Sequence, residues 1–194
     1  IACVLFILAA LSKETAIVTP AALALWELAL ALRHRRAPDI RRTHTTWIAP
    51  LLIPILPLAA WYAYHYSRTG FIFGNPTFLR YNATANLSFL RIAVCLYHRF
   101  LHLTMHMNMF VPVTGAVAAL FMPALAARSR IPRPVFNAIA VILLANWIEF
   151  SILGGALLTR YLLPMYPLVL LICVAEWRLH LRRWGSLAVL SAAA

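Results

Sequence analysis

Acidic residues are scarce in this chain: its 194 residues include one aspartate, Asp39, and four glutamates. Charged residues of both signs make up 11%, against roughly 25% in soluble domains. With 63% of residues hydrophobic and gathered in long apolar runs, a soluble core could not hide them. An integral membrane protein is the class that remains. Cysteine is nearly as rare. Cys3, Cys95 and Cys173 fall in apolar or interfacial stretches without CxxC or Cys/His spacing, which argues against a disulfide framework or zinc site and suits small apolar packing. Glycine-rich phosphate loops and nucleophile elbows are missing too.

Positive charge, by contrast, is plentiful. The 17 basic residues, 16 of them arginine, give a net charge of +12. In a soluble chain that excess would point to nucleic acid. Here the arginines gather in short loops between apolar segments, the pattern that orients membrane proteins, and no nucleic-acid partner is expected. The expected fold is all-α: a polytopic transmembrane helix bundle with about five complete spans, two truncated ones and one interfacial amphipathic helix. All of it, 1–194, reads as part of a single transmembrane domain, with the lipid bilayer as partner.

Complete spans are expected near 15–32, 47–66, 108–127, 135–153 and 162–177, on the scale of the ~20 residues needed to cross. Pro50, Pro54 and Pro57 bend the second, which is tolerable where neighbouring helices satisfy the freed carbonyls. Trp61, Tyr62, Tyr64 and Tyr66 at its end read as an interfacial belt. The apolar stretches Ile1 to Leu11 and Leu187 to Ala194 are too short to span, so the chain reads as a fragment of a larger protein. Residues 67–107 form an exoplasmic loop region whose first part, to Tyr81-Asn82, is rich in turn formers. Its second part, roughly 87–106, carries Arg91, Cys95, His98, His102 and His106 at spacings of four and three. Leu90, Val94, Leu101 and Met105 supply an apolar side, as in a helix lying in the membrane interface.

Loop charge sets the orientation. The stretches 33–46, 128–134 and 178–186 hold five, three and three arginines, and all share one face if 87–106 does not cross. If it crossed, the first basic loop would lie opposite the other two, so the interfacial assignment prevails. Lys13, Glu14, the 67–107 loop and Arg160 then share the non-cytoplasmic face. The arginine bias and compact loops lean towards a bacterial inner membrane, with the site facing the periplasm.

Ionisable residues at a bilayer edge are expensive and are functional candidates by default. Lys13 and Glu14 lie between two apolar segments with almost no loop. Either they snorkel to the headgroups from a tight hairpin, or Lys13 pairs with a phosphate while Glu14 orients it or binds a metal. Arg160-Tyr161 precedes Leu162-Leu163-Pro164-Met165-Tyr166-Pro167. A guanidinium at the mouth of a proline-bent helix suits an anionic headgroup, because it offers a planar fork of donors. The plainer reading is an interfacial anchor, with Tyr161 and Tyr166 in the aromatic belt. Glu149, an intramembrane carboxylate, needs a partner such as Arg160 or Lys13.

His98, His102 and His106 would align three imidazoles on one helical face, but no carboxylate completes an HExxH pattern. A polar stripe towards water or headgroups is the alternative. A divalent metal, at Glu14 or at His102 and His106, is the one cofactor under consideration. Arg68, Arg80, Arg91 and Arg99 share this loop and could line an anionic site, although they read mostly as surface charges. Asn82-Ala83-Thr84 and Asn86-Leu87-Ser88 match the N-glycosylation pattern, which matters only in a eukaryotic secretory compartment.

Leu11-Ser12-Lys13-Glu14-Thr15-Ala16, followed by Pro20, resembles the lSKEta…P segment of polytopic GT-C glycosyltransferases. These are the protein O-mannosyltransferase and aminoarabinose-transferase type, glycosyltransferase family 39. Arg160-Tyr161-Leu162-Leu163-Pro164, with Pro167, is similar to the RYllP…P segment late in their membrane domain. The resemblance implies transfer of a sugar from a polyprenyl- or dolichyl-phosphate carrier to a protein or glycolipid acceptor outside the cytoplasm. It implies that Lys13 and Arg160 contact the carrier phosphate and that Glu14 positions it or a divalent metal, with Tyr161 and Glu149 in support. The catalytic carboxylate of such enzymes lies in the first exoplasmic loop, which would precede Ile1, so no catalytic residue is assigned. Two other classes stay open: a transporter or flippase for a lipid-linked or anionic solute, and a non-catalytic membrane scaffold. A transporter would show midplane polar residues and internal symmetry, whereas the midplane positions here are mostly apolar and no repeat is visible.

Overall fold

A computed structural model gives the architecture of residues 1–74, 76–77, 80, 87–125, 130–153 and 159–193, with all their side chains except those of Arg160 and residues 190–193. The fold is all-α, 81% helical, with no strand among the described residues. Three helical stretches are long and apolar enough to cross a membrane: Glu14–Arg33, Pro38–Thr69 and Arg133–Leu153. A fourth is reached if the bent pair Phe89–Met105 and Phe110–Leu120 counts as one span. Leu25, Leu56 and Leu144 are 67%, 69% and 53% exposed, the apolar surface that a bilayer would cover. The acceptor residues Asn82 and Asn86, Arg128, and the Gly154-Gly155 link lie outside the described residues.

The chain divides into two compact units: Ile1–Ala85 with Ala140–Asn146, and Asn86–Ile139 with Trp147–Ala194. The first unit opens with α1 (Ala2–Ser12), a 3-10 turn (Glu14–Ile17) and α2 (Val18–Arg33). Lys13 interrupts this run in an extended conformation, φ −153° and ψ 116°, while its N–H still donates to the Ala9 carbonyl at 2.9 Å. Pro20 falls in the first turn of α2, where a backbone N–H has no intrahelical acceptor anyway.

Residues 33–46 differ from the expected loop. A helix, α3 (Pro38–Leu52), begins within them, leaving a short turn after α2. The cause is local: Ala37 is extended, as a residue before proline prefers, Pro38 suits a first helical position, and Asp39 complements the helix dipole. Glu27 and His44, placed symmetrically about the turn, meet at 2.7 Å between Oε2 and Nδ1, so α2 and α3 form an antiparallel hairpin. Next comes α4 (Ile55–Thr69). Pro54 and Pro57 have no N–H to return to the carbonyls of Pro50 and Ile53, which locates the irregular turn between α3 and α4. Gly70, at φ 75°, ends α4 by donating its N–H to the Tyr66 carbonyl at 2.8 Å, a left-handed cap that glycine adopts without strain.

The second unit contains α5 (Phe89–Met105), α6 (Phe110–Leu120), the ends of α7 (Arg133–Leu153), a 3-10 turn (Thr159–Leu162), α8 (Tyr166–His180) and α9 (Trp184–Ala193). Ser88 caps α5 by accepting the Arg91 N–H at 3.3 Å. An 85° bend separates α5 from α6, and Met107 and Asn108 there have φ of 53° and 59°. Asparagine is tolerant of that left-handed region, a methionine much less so. With 11 residues, α6 is about 16 Å long, shorter than the expected 108–127 span. The 15 residues of α8 start late, at Tyr166, because Pro167 takes an initial helical position and cannot sit further in. Ala116, Ala119, Cys173 and Trp177 form the core between α6 and α8.

Candidate functional site

Each unit contributes its own set of candidate residues. In the first, the extended Lys13 and the start of the 3-10 turn leave Lys13 and Glu14 adjacent and exposed. The preceding hydroxyl, Ser12 Oγ, turns back to the Leu8 carbonyl at 2.8 Å and closes α1. α4 packs beside α1. Behind the turn, buried Asn146 donates through Nδ2 to Thr19 Oγ1 at 3.1 Å and to the Ile142 carbonyl at 2.8 Å. A buried amide of this kind is stable only when hydrogen-bonded, so it joins α7 to α2 at a defined register.

The second unit is organised around a buried guanidinium. Arg99 has 0% exposure, in contrast to its expected place among surface charges. Its Cζ lies 5.9 Å from the ring centroids of both Phe150 and Tyr161, near the roughly 6 Å limit of cation–π contact. Those rings stack on each other, centroids 5.7 Å apart and planes 27° from parallel. Glu149, 7% exposed, immediately precedes Phe150. Isolated charges are costly to bury. Among the described residues of this unit, Arg99 and Glu149 are the buried charged side chains.

The turn Thr159–Leu162 carries Arg160 and Tyr161 into this cluster's neighbourhood. The Arg160 side chain lies outside the described residues. Leu162 and Met165, 0% and 1% exposed, anchor the turn. Tyr166 is also buried, which corrects its reading as a belt residue. Its hydroxyl donates to the His102 carbonyl at 3.0 Å. Trp147 Nε1 donates to the Leu96 carbonyl at 3.0 Å, so two aromatic donors tie α7 and α8 to the backbone of α5.

Two of the three histidines of the stripe stay together. The His102 and His106 rings lie 4.1 Å apart, but His106 is already the extended residue that ends α5, and exposed His98 packs edge-on to Tyr97. His102 Nδ1 is buried and has no hydrogen-bond partner among the described residues. No group of three His, Cys, Asp or Glu among the described residues could hold a metal ion. Glu14 belongs to the first unit and the histidines to the second, while Lys13 and Arg160 are divided in the same way.

Arg99 was discoverable in the sequence from helical spacing. The buried line of α5 is Cys95, Arg99 and Leu103, each four residues from the next. It lies one residue away from the His98, His102 and His106 line. Comparison of the chain with protein-family models, curated proteins and solved structures finds no match.

Proposed function

We propose that the chain is part of a membrane glycosyltransferase that moves a sugar from a polyprenyl-phosphate-type carrier to a protein or glycolipid acceptor on the non-cytoplasmic face. The observation that carries this reading is the break at Lys13, where a cation is exposed on one extended residue between two apolar helical stretches. A phosphate attached to a polyprenyl chain can approach such a residue while its hydrocarbon stays in the bilayer. The motif resemblance supplies the chemistry.

In this reading Lys13 and Arg160 neutralise the carrier phosphate, Glu14 positions it or an accompanying divalent cation, and Tyr161 and Glu149 support Arg160. The acceptor oxygen or nitrogen bonds to the anomeric carbon as the bond from that carbon to the phosphate oxygen breaks. The bond electrons leave with the phosphate, whose growing charge the cations stabilise. The acceptor proton passes to a carboxylate outside these 194 residues. Five complete spans and a site on the periplasmic face of a bacterial inner membrane belong to the same proposal.

Lys13→Ala and Arg160→Ala in the intact protein should each reduce transfer from a polyprenyl-phosphate sugar by about 10²-fold or more. Unaltered transfer would remove the phosphate-site assignment. A second reading, a transporter for an anionic or lipid-linked solute, draws on the 85° break between α5 and α6, since broken helices are common at transport sites. Solute flux by reconstituted protein without any sugar transfer would select it.

A further inference from the structure

A cleft of about 290 Å³ lies within the second unit, between α8 and the residues that lead into α7. Its lining is Arg130, Ile131, Pro132, Leu171, Val174, Ala175 and Arg178. On α8 the contributors follow the spacing i, i+3, i+4, i+7, one helical face. That face is apolar for about a turn and a half and then ends in the Arg178 guanidinium. Opposite it, Ile131 and Pro132 form an apolar wall and Arg130 a second cation. The cleft is thus apolar along its length and doubly cationic in charge, with no acidic residue among the described residues that line it.

We propose that this cleft binds one anionic phospholipid, its phosphate held by Arg130 and Arg178 and part of an acyl chain lying along Leu171, Val174 and Ala175. Both kinds of lining are needed for that choice. A free phosphate has no use for the apolar face, and a zwitterionic lipid brings an ammonium group that the two guanidiniums repel. Arg178 stands in the last turn of α8, where the helix dipole disfavours an anion, so binding depends on the cations rather than on the helix terminus. The volume is at the low end of the roughly 300–1,000 Å³ of ligand pockets, enough for a headgroup phosphate and part of one chain. Arg130 and Arg178 belong to the basic stretches 128–134 and 178–186 assigned to the cytoplasmic face, so the lipid would belong to that leaflet. The proposal is independent of the transferase reading.

The test is lipid retention by the purified full chain in a neutral detergent, measured by native mass spectrometry with phosphatidylglycerol and phosphatidylcholine offered in equal amounts. Phosphatidylglycerol should be retained about tenfold more strongly. The double variant Arg130→Gln/Arg178→Gln should bring its retention down to that of phosphatidylcholine, and Ala175→Leu, which fills the cleft and keeps both charges, should weaken it as well. Equal retention of the two lipids by the unaltered chain would overturn the proposal, as would a folded double variant that still prefers phosphatidylglycerol. So would inorganic phosphate binding as tightly as the lipid, since the apolar face would then contribute nothing. If the double variant does not fold, Ala175→Leu decides: unchanged retention refutes the site.

Discussion

The phenol of Tyr166, at the start of α8, donates a 3.0 Å hydrogen bond to the main-chain carbonyl of His102 in α5. The same carbonyl accepts the His106 N–H at 3.3 Å, so the tyrosine adds a tertiary bond to the last turn of a helix. It fixes the exit of the Arg160-Tyr161 segment against α5. Tyr166→Phe removes the hydroxyl and keeps the ring. The carbonyl retains its helical partner, so the expected loss is about 1 kcal/mol. A lower thermal midpoint in detergent with an unchanged circular dichroism spectrum would show it.

Arg99 is expected to be the most sensitive position in α5. Arg99→Lys keeps the charge but loses the planar face set against Phe150 and Tyr161. It should destabilise by about 1–2 kcal/mol. Arg99→Ala removes a fully buried side chain and leaves a void, and about 2–5 kcal/mol should be lost. Thermal unfolding of the three proteins should give the order unaltered, lysine, alanine. An alanine variant as stable as the unaltered chain would refute a core role for the guanidinium.

Gly115 governs how closely α6 approaches α8. A Cβ there would lie 3.1 Å from Leu187 Cδ2 and 3.2 Å from Trp177 Nε1. Leu187 can rotate away, but the Trp177 ring is 1% exposed and has little room. Gly115→Ala therefore sets a gain of about 1 kcal/mol in helix propensity against mild crowding and should be close to neutral. Gly115→Leu cannot be absorbed and should cost about 1–3 kcal/mol, again read from thermal unfolding.

The orientation reading predicts which face each turn occupies. Ser12 and Arg35 are both exposed, the first beside Lys13 and the second in the basic turn between α2 and α3. Cys3 is half-buried and would be replaced by serine, whereas Cys95 and Cys173 are buried and should stay silent. A membrane-impermeant maleimide added to intact cells should label Ser12→Cys at once and Arg35→Cys only after permeabilisation. The reverse pattern would invert the topology and place Lys13 on the cytoplasmic face.

Much of the candidate site could be read in the residues themselves, and its omissions have a common cause. The Lys13 break was legible because two polar residues between apolar segments leave no room for a loop. The start of α3 was misjudged because the arginines of 33–46 suggest a loop, whereas Pro38 and Asp39 suffice to begin a helix. Arg99 is grouped by sequence with Arg68, Arg80 and Arg91 as mostly surface charge, because an arginine among other arginines looks solvated. Its burial follows from the aromatic residues of α7 and the Thr159–Leu162 turn, some 50 to 60 positions later in the chain. Tyr166 looked like a belt residue until its acceptor on α5 was known.

By itself the sequence determined the all-helical membrane class, the basic turns, and the proline and glycine positions where helices start, bend and stop. These are local effects of composition and backbone stereochemistry, so they need no partner. Only the tertiary structure decided which line of α5 is buried, because adjacent lines on a helix differ by about 100° and both carry polar residues. The same holds for the 85° turn between α5 and α6 and for the approach of Gly115 to Trp177. Each depends on side chains supplied by distant segments. The exposed Lys13 was thus visible from its neighbours in the chain, while the buried Arg99 was set by packing.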